Sequence, residues 1–149
     1  MTSSSKLLLR MLDANANRAR EGLRVCEDLA RFCLESPASF RAIRAVRQAL
    51  NLELRRLPMS SAQLVRFRDS RQDVGRRASS SSVRSAEHLL LLNLQRAKEA
   101  LRVLEECARV SAPRQAPQFQ ALRFQTYHVE RQLLLRVAAL RHRGSRRRA

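Results

Sequence analysis

Leu8, Leu12, Ala16, Ala19, Leu23, Cys26 and Ala30 follow one another at intervals of three or four residues. That spacing gathers them on one side of an α-helix and leaves the polar residues on the other. Leu90, Leu94, Ala97, Leu101, Leu104 and Ala108 do the same further along, so the pattern predicts two long amphipathic helices. Each is followed by a second apolar series: Phe40, Ile43, Val46 and Leu50 within 39–56, and Phe119, Leu122 and the leucine-rich stretch 133–140 within 117–141. Between the two units, 58–82 loses the periodicity and carries Arg68-Asp-Ser-Arg-Gln-Asp-Val-Gly75 and a serine run, the composition of a loop, functional or merely connecting.

The two long helices are copies of each other. Asn15-Ala-Asn-Arg-Ala-Arg-Glu-Gly-Leu-Arg-Val-Cys-Glu-Asp-Leu-Ala-Arg31 aligns without a gap on Asn93-Leu-Gln-Arg-Ala-Lys-Glu-Ala-Leu-Arg-Val-Leu-Glu-Glu-Cys-Ala-Arg109, an internal repeat. The stretches that follow correspond loosely, Phe40-Arg-Ala-Ile-Arg44 resembling Phe119-Gln-Ala-Leu-Arg123 after proline-containing breaks at Pro37 and at Pro113 and Pro117. The expected fold is all-α, a helical bundle of two repeated helix pairs with their apolar stripes inward. The expected organisation is a single helical domain over 1–143, with repeat units at about 7–56 and 83–141 and a linker loop over 57–82, followed by a basic disordered tail over 144–149. The long middle connection leaves up-and-down topology as one option among several.

Composition agrees with helix. The 149 residues, 44% of them hydrophobic, suit one core rather than two, and only three glycines and four prolines interrupt a chain rich in good helix formers. Charge changes the picture more. The formal net charge is +17 and the pI near 11.7, which makes nucleic acid the first partner to weigh, since clustered cations gain affinity by releasing counterions from phosphates. Against it, Lys6 and Lys98 are the only lysines, and drift toward arginine codons in a GC-rich genome produces the same excess without selection for binding. The lack of tryptophan and the single tyrosine, Tyr127, also argue against base stacking. Cys26, Cys33 and Cys107 are odd in number, lack metal-type spacing and fall among apolar helical residues, as expected of buried thiols in a reducing compartment. The run 6–12 is too short for a signal-peptide core and 89–92 too short for a membrane span, so a cytoplasmic protein is expected.

Apolar matches between the repeats follow from packing, but the polar matches do not. Asn15 corresponds to Asn93, Arg18 to Arg96, Glu21 to Glu99, Arg24 to Arg102 and Glu27 to Glu105. Surface ion pairs left over from a duplication are one reading, each worth about 0.2–0.5 kcal/mol. On a helical projection Asn15 falls inside the apolar arc and Arg18 at its edge beside Gly22, while Glu21 and Arg24 turn toward solvent. An amide in an apolar arc must find partners or cost roughly 1–3 kcal/mol, so Asn15 and Asn93 are either structural links between helices or ligand contacts. Gly22 and Ala100 keep the adjoining surface open to a helix or a ligand. In the loop, Arg68, Arg71, Asp69 and Asp73 with a flexible Gly75 form a mix able to hold phosphate oxygens and magnesium together, because arginine grips phosphate bidentately and carboxylates suit magnesium. A solvated linker has the same composition. There is no Gly-x-x-x-x-Gly-Lys, His-Glu-x-x-His or Gly-x-Ser-x-Gly motif. His88, His128 and His142 are scattered, and His128 beside Tyr127 and Glu130 serves either proton transfer or packing. Arginines and helix N-termini are left to handle any phosphate.

The stretch Leu12-Asp-Ala-Asn-Ala-Asn-Arg-Ala-Arg-Glu-Gly-Leu-Arg-Val-Cys-Glu-Asp-Leu-Ala-Arg-Phe32 resembles the opening signature of a family found alone or fused ahead of thiamine-phosphate synthase. Arg68-Asp69 with Asp73-Val-Gly75, then 93–105, Phe119 with Leu122-Arg123, and Tyr127 to Glu130 resemble its later motifs in order, over residues 8 to about 135. The chain departs from the family pattern at Leu92, Gln95 and Ser70-Arg71-Gln72. The resemblance implies a hydroxymethylpyrimidine-phosphate kinase unrelated to the ribokinase-type enzyme, converting the monophosphate to the pyrophosphate for thiamine synthesis with ATP and magnesium. It suggests Arg18, Arg68 and Arg96 for phosphates, Asp69 and Asp73 for the metal, and Asn15, Asn93, Glu21 and Glu99 for the pyrimidine or its support. Two other classes stay open: a non-catalytic partner or regulatory module of thiamine-phosphate synthase, and a basic RNA-binding helical protein. A homodimer follows if the apolar stripes exceed what one four-helix core covers.

Overall fold

The computed structural model describes residues 3–78 and 82–146, the last six by their backbone. The described residues form five helices and no strand: α1 (Ser3–Phe32), α2 (Pro37–Arg55), α3 (Ser61–Arg66), α4 (Ala86–Ser111) and α5 (Ala116–Arg146). The starts are written in the sequence. Ser36 caps α2, its Oγ accepting from the Ser39 amide, with Pro37 in the first turn where no amide donor is missed. Ser85 caps α4 in the same way through the His88 amide.

α1 packs against α4, α2 and α3, and α5 packs against α4 and α2. The four long helices therefore form a closed ring in the order α1, α2, α5, α4. The tight turns at 33–36 and 112–115 make α1–α2 and α4–α5 antiparallel, and α1 also runs antiparallel to α4. It follows that α2 and α4 point the same way, and the chain between them must return the length of the bundle, about 39 Å for a helix the size of α4. This explains why the middle connection is long. It is also more structured than the lost periodicity predicts. Ser60 and Gln63 form a reciprocal capping box that starts α3, and Leu64 is buried.

The core is largely the predicted one: Leu12, Ala16, Ala19, Leu23, Cys26 and Ala30 face Leu90, Leu94, Ala97, Leu101, Leu104 and Ala108, all buried, and Ile43, Val46, Leu50, Phe119, Leu122 and Leu133 close it from α2 and α5. Leu8 is only partly buried beside the buried Leu9, and of the 133–140 stretch Leu133 and Val137 are buried while Leu135 and Leu140 are exposed. Three further details differ from the sequence reading. Phe119 is fully buried while Phe40 is half-exposed, and the residue that matches Phe119 by position is Ile43. The shift is three residues, close to one turn, so the same face stays inward. Cys33 is exposed because α1 ends at Phe32 and leaves it in the turn. The tail expected to be disordered from 144 overlaps α5, whose backbone is helical through Arg146. One glycine costs only about 1 kcal/mol in a helix, and arginine is a good helix former. Residues 147–149 lie outside the described residues. No helix among the described residues is long and apolar enough to cross a membrane.

Candidate functional site

The site arises where the two repeat helices cross. Small residues let α1 and α4 approach: a Cβ built on Gly22 would lie 2.8 Å from the Asn93 carbonyl oxygen and 3.5 Å from the Ala97 Cβ. Gly22 thus accommodates a neighbouring helix rather than a ligand. Four residues on, the Cys26 thiol donates to the Leu90 carbonyl at 3.7 Å. These contacts fix an antiparallel register in which each step forward on α1 is a step back on α4. Arg18 therefore stands level with Glu99, Arg96 with Glu21, and Asn15 with the Ala100–Val103 turn.

Between the helices lies a groove of about 520 Å³, lined by Asn15, Arg18, Glu21 and Gly22 from α1 and Asn93, Arg96, Glu99, Ala100 and Val103 from α4. This is a ligand-sized volume. Its floor is amide. Asn15 and Asn93 are 6% and 5% exposed, and each Nδ2 donates to the carbonyl four residues back, Met11 at 2.9 Å and Leu89 at 2.8 Å. These bonds fix both rotamers, and no described residue donates to either Oδ1. The rim is charged and exposed. Among the described residues no acid lies within ion-pair distance of Arg18 or Arg96, and no base within that distance of Glu21 or Glu99; Glu99 accepts only from Gln95 Nε2 at 2.8 Å.

The other two matched pairs behave differently. Glu27 is 1% exposed and receives Arg47 from α2 through Nε at 2.6 Å and Nη2 at 3.2 Å; the hydrogen bond to Glu27 holds the Arg47 guanidinium above its ordinary pKa. Glu105 receives Arg123 from α5 at 3.0 Å. Arg24 and Arg102 are tied to Glu27 and Asp28, and to Glu105 and Glu106, respectively. Sequence reasoning missed Arg47 and Arg123. Their signal is a buried acid on each first helix with a basic residue on the second, four positions after Phe119 but seven after Phe40, so the phenylalanine alignment does not bring the two together.

The loop residues lie apart from the groove. Arg68 spans Asp13 bidentately, Nε to Oδ2 at 2.7 Å and Nη2 to Oδ1 at 2.6 Å. Asp13 is 7% exposed, so Arg68 anchors the loop by neutralising a buried carboxylate on α1. Asp69 and Asp73 share with Arg68 and Asp13 a hollow of about 180 Å³ that also touches Ala14 and Asn17, one turn before Arg18 and Glu21. Asp69 Oδ1 accepts from the Gln72 amide at 3.0 Å, and Asp73 Oδ1 from the Gly75 amide at 2.7 Å. The described residues hold no group of three or more Asp, Glu, His or Cys side chains suited to a metal ion, so a cation here would need oxygens from a bound phosphate. His128 is exposed and contacts Gln132, while Glu130 is held by Lys98 at 2.7 Å. A further hollow of about 540 Å³ lies at the α1–α2 turn, lined by Arg31, Glu35, Ser36, Pro37, Phe40 and Arg44, apart from Asn15, Arg18, Glu21 and their copies.

The fold and groove together define a duplicated all-helical domain whose two copies present one set of amides, arginines and carboxylates to a shared cleft. The chain belongs to the ThiD2 family, whose model matches residues 10–132. It is 35% identical over 145 residues to the thiamine-phosphate synthase of Rhodopirellula baltica, covering 95% of this chain and 38% of that protein. It is 38% identical over 135 residues to the thiamine-phosphate synthase of a Synechocystis strain (89% and 38% covered) and 37% identical over 130 residues to that of a Synechococcus strain (87% and 36%). The chain thus spans less than two-fifths of the length of these curated relatives. No solved structure matches it.

Proposed function

We propose that this domain phosphorylates hydroxymethylpyrimidine phosphate to the pyrophosphate, using ATP and magnesium, in the groove between α1 and α4. The observation that carries the reading is the pair of duplicated arginines, Arg18 and Arg96, that line a ligand-sized groove and form no ion pair among the described residues, while the duplicated arginines Arg24 and Arg102 are paired. Phosphoryl transfer depends on positioning and charge neutralisation rather than on a covalent nucleophile. The groove supplies the cations, and its lining contains no Ser, Thr, Cys or His that would carry a phosphoryl group. The Asn15 and Asn93 carbonyls are acceptors for the amino group of the pyrimidine, and Glu21 and Glu99 accept from its remaining donors. In this reading Asp69 and Asp73, which share a hollow with Ala14 and Asn17 at the Arg18 end of the groove, would hold magnesium beside the accepting phosphate, and Arg68 acts by fixing their loop. Relatives named thiamine-phosphate synthase support a step in thiamine biosynthesis.

The same relatives favour a second reading, a non-catalytic module of the synthase, because they carry this segment in one chain with the rest of that protein. Purified protein incubated with ATP, magnesium and hydroxymethylpyrimidine phosphate distinguishes the two, with products followed by phosphorus NMR. Pyrophosphate formation that disappears in Arg18→Ala and Arg96→Ala, both still folded, is the expected result. No turnover in the unaltered chain, together with a stable complex with the synthase, would replace the kinase by the module.

A further inference from the structure

We infer that the groove consists of two half-sites related by the symmetry of the repeat, taking two different phosphate-bearing ligands: a heteroaromatic monophosphate at the Arg18 end and the phosphate chain of a nucleotide at the Arg96 end. The inference rests on the reading of the groove as a phosphoryl-transfer site and assigns its ends. In the antiparallel register, Arg18 of the first repeat stands level with Glu99 of the second, with Asn15 one turn further out, whereas Arg96 stands level with Glu21, with Asn93 one turn further out. Each end thus combines one fixed amide acceptor, one guanidinium without an ion pair among the described residues and one carboxylate, drawn from both repeats, and neither repeat contains a half-site by itself.

The ends differ in their apolar wall. Val103 lines the groove beside Ala100, while its repeat counterpart Val25 does not. At the other end Gly22 brings α1 against the Asn93 carbonyl and closes the floor. A flat ring gains by covering apolar surface, so the Arg18 end suits the ring and the Arg96 end suits a chain of phosphates, which needs charge rather than an apolar wall. The acceptor phosphate and the terminal phosphate of the donor then meet between the two arginines. An oxygen of the acceptor phosphate forms the new bond to the terminal phosphorus while the bond to the leaving diphosphate breaks, and its electron pair departs on the nucleoside diphosphate. The dianionic acceptor has no proton to lose, which agrees with a groove that lacks histidine.

Titration calorimetry on the full chain tests this with hydroxymethylpyrimidine phosphate and inorganic tripolyphosphate as separate probes. A hydrogen bond to a charged group is worth about 1.5–3 kcal/mol, or roughly tenfold to a hundredfold in affinity. Arg18→Gln is expected to weaken the pyrimidine phosphate by at least about tenfold and tripolyphosphate by less than about twofold. Arg96→Gln should do the reverse, and Val103→Thr should weaken only the pyrimidine phosphate. Equal weakening of both probes by both arginine variants would show one shared anion site and overturn the assignment, as would no effect from either. Selective losses without turnover would keep the half-sites and sink the kinase, whereas turnover with unselective losses would keep the kinase and sink the half-sites.

Discussion

Two stretches of the same helix, one turn apart, have opposite fates. Asn15, Arg18 and Glu21, with their copies Asn93, Arg96 and Glu99, look into an open groove. Arg24 and Glu27, with Arg102 and Glu105, are locked into ion pairs. Spacing and residue type do not separate the two sets; what stands opposite does. α2 and α5 deliver Arg47 and Arg123 onto the buried acids, whereas across the groove the other repeat brings only residues that stop short of pairing. A buried carboxylate cannot stay charged without a partner, but an exposed guanidinium can. Duplicated polarity therefore marks constraint, and the partner separates constraint by stability from constraint by a ligand.

The comparison breaks most readily at Arg47. Its removal leaves Glu27, 1% exposed, without its bidentate partner, and Arg47→Ala is expected to lower unfolding stability by about 3–5 kcal/mol. Urea unfolding reads this directly. A loss under about 1 kcal/mol would mean that the pair behaves like an ordinary surface bridge and that the two sets do not differ in kind. The groove arginines should show the converse. Arg18→Ala and Arg96→Ala are expected to move stability by no more than about 0.5 kcal/mol while cutting turnover about 10²–10³-fold. A stability loss matching that of Arg47→Ala would place them in the structural set.

Arg68 tests whether the loop belongs to the structural set. Because it neutralises the buried Asp13, Arg68→Ala is expected to lower unfolding stability and to open the 68–78 segment to limited proteolysis. Activity loss with stability and proteolysis unchanged would instead return Arg68 to phosphate binding.

Much of this was legible in the sequence, and the losses have a common cause. The stripe from Leu12 to Ala30 and its copy name the core because packing is read from spacing alone. The groove was legible too, since Asn15, Arg18 and Glu21 repeat where packing does not demand it. What spacing does not encode is the partner across space. Asp13 gives no sign that it will take Arg68, and Arg47 lies a turn away from where aligned phenylalanines would put the counterpart of Arg123. α3 was hidden because six residues carry too little periodicity, although its Ser60 and Gln63 capping box was there to be read.

Cys26 reports on the closed side of the same interface. Burial pushes its thiol from 9.0 up to about 12, with the nearby Glu130 charge adding to the shift. The folded state thus holds a proton that the unfolded state releases above pH 9. Its contribution is complete below about pH 9 and falls as pH rises toward 12, by about 1.4 kcal/mol per unit. Stability measured from pH 8 to 10 should decline more steeply in the unaltered protein than in Cys26→Ala. Equal slopes would mean that the thiol is not sealed from water. Maleimide labelling gives a second reading: the exposed Cys33 should react in the native state, and Cys26 and Cys107 only on unfolding.

Gly22 sits where the closed and open parts of the interface meet, and its replacement sharpens the comparison with the smallest change. Gly22→Ala gains about 1 kcal/mol in helix propensity and forces a Cβ within 2.8 Å of the Asn93 carbonyl oxygen, a backbone atom that cannot rotate away. Overpacking of this kind costs roughly 1–3 kcal/mol, so a net loss of about 1 kcal/mol is expected, seen as a fall of about 3 °C in Tm. At the symmetry-related position the repeat already has alanine, and Ala100→Gly should cost about the same through propensity alone. The two variants then match in stability and differ in the groove. Only Gly22→Ala displaces α4 at Asn93, so only it should weaken binding of the pyrimidine phosphate and tripolyphosphate, as measured by calorimetry. If both variants leave ligand affinity unchanged, the spacing of the two helices does not govern the groove, and the small residues at this crossing serve packing alone.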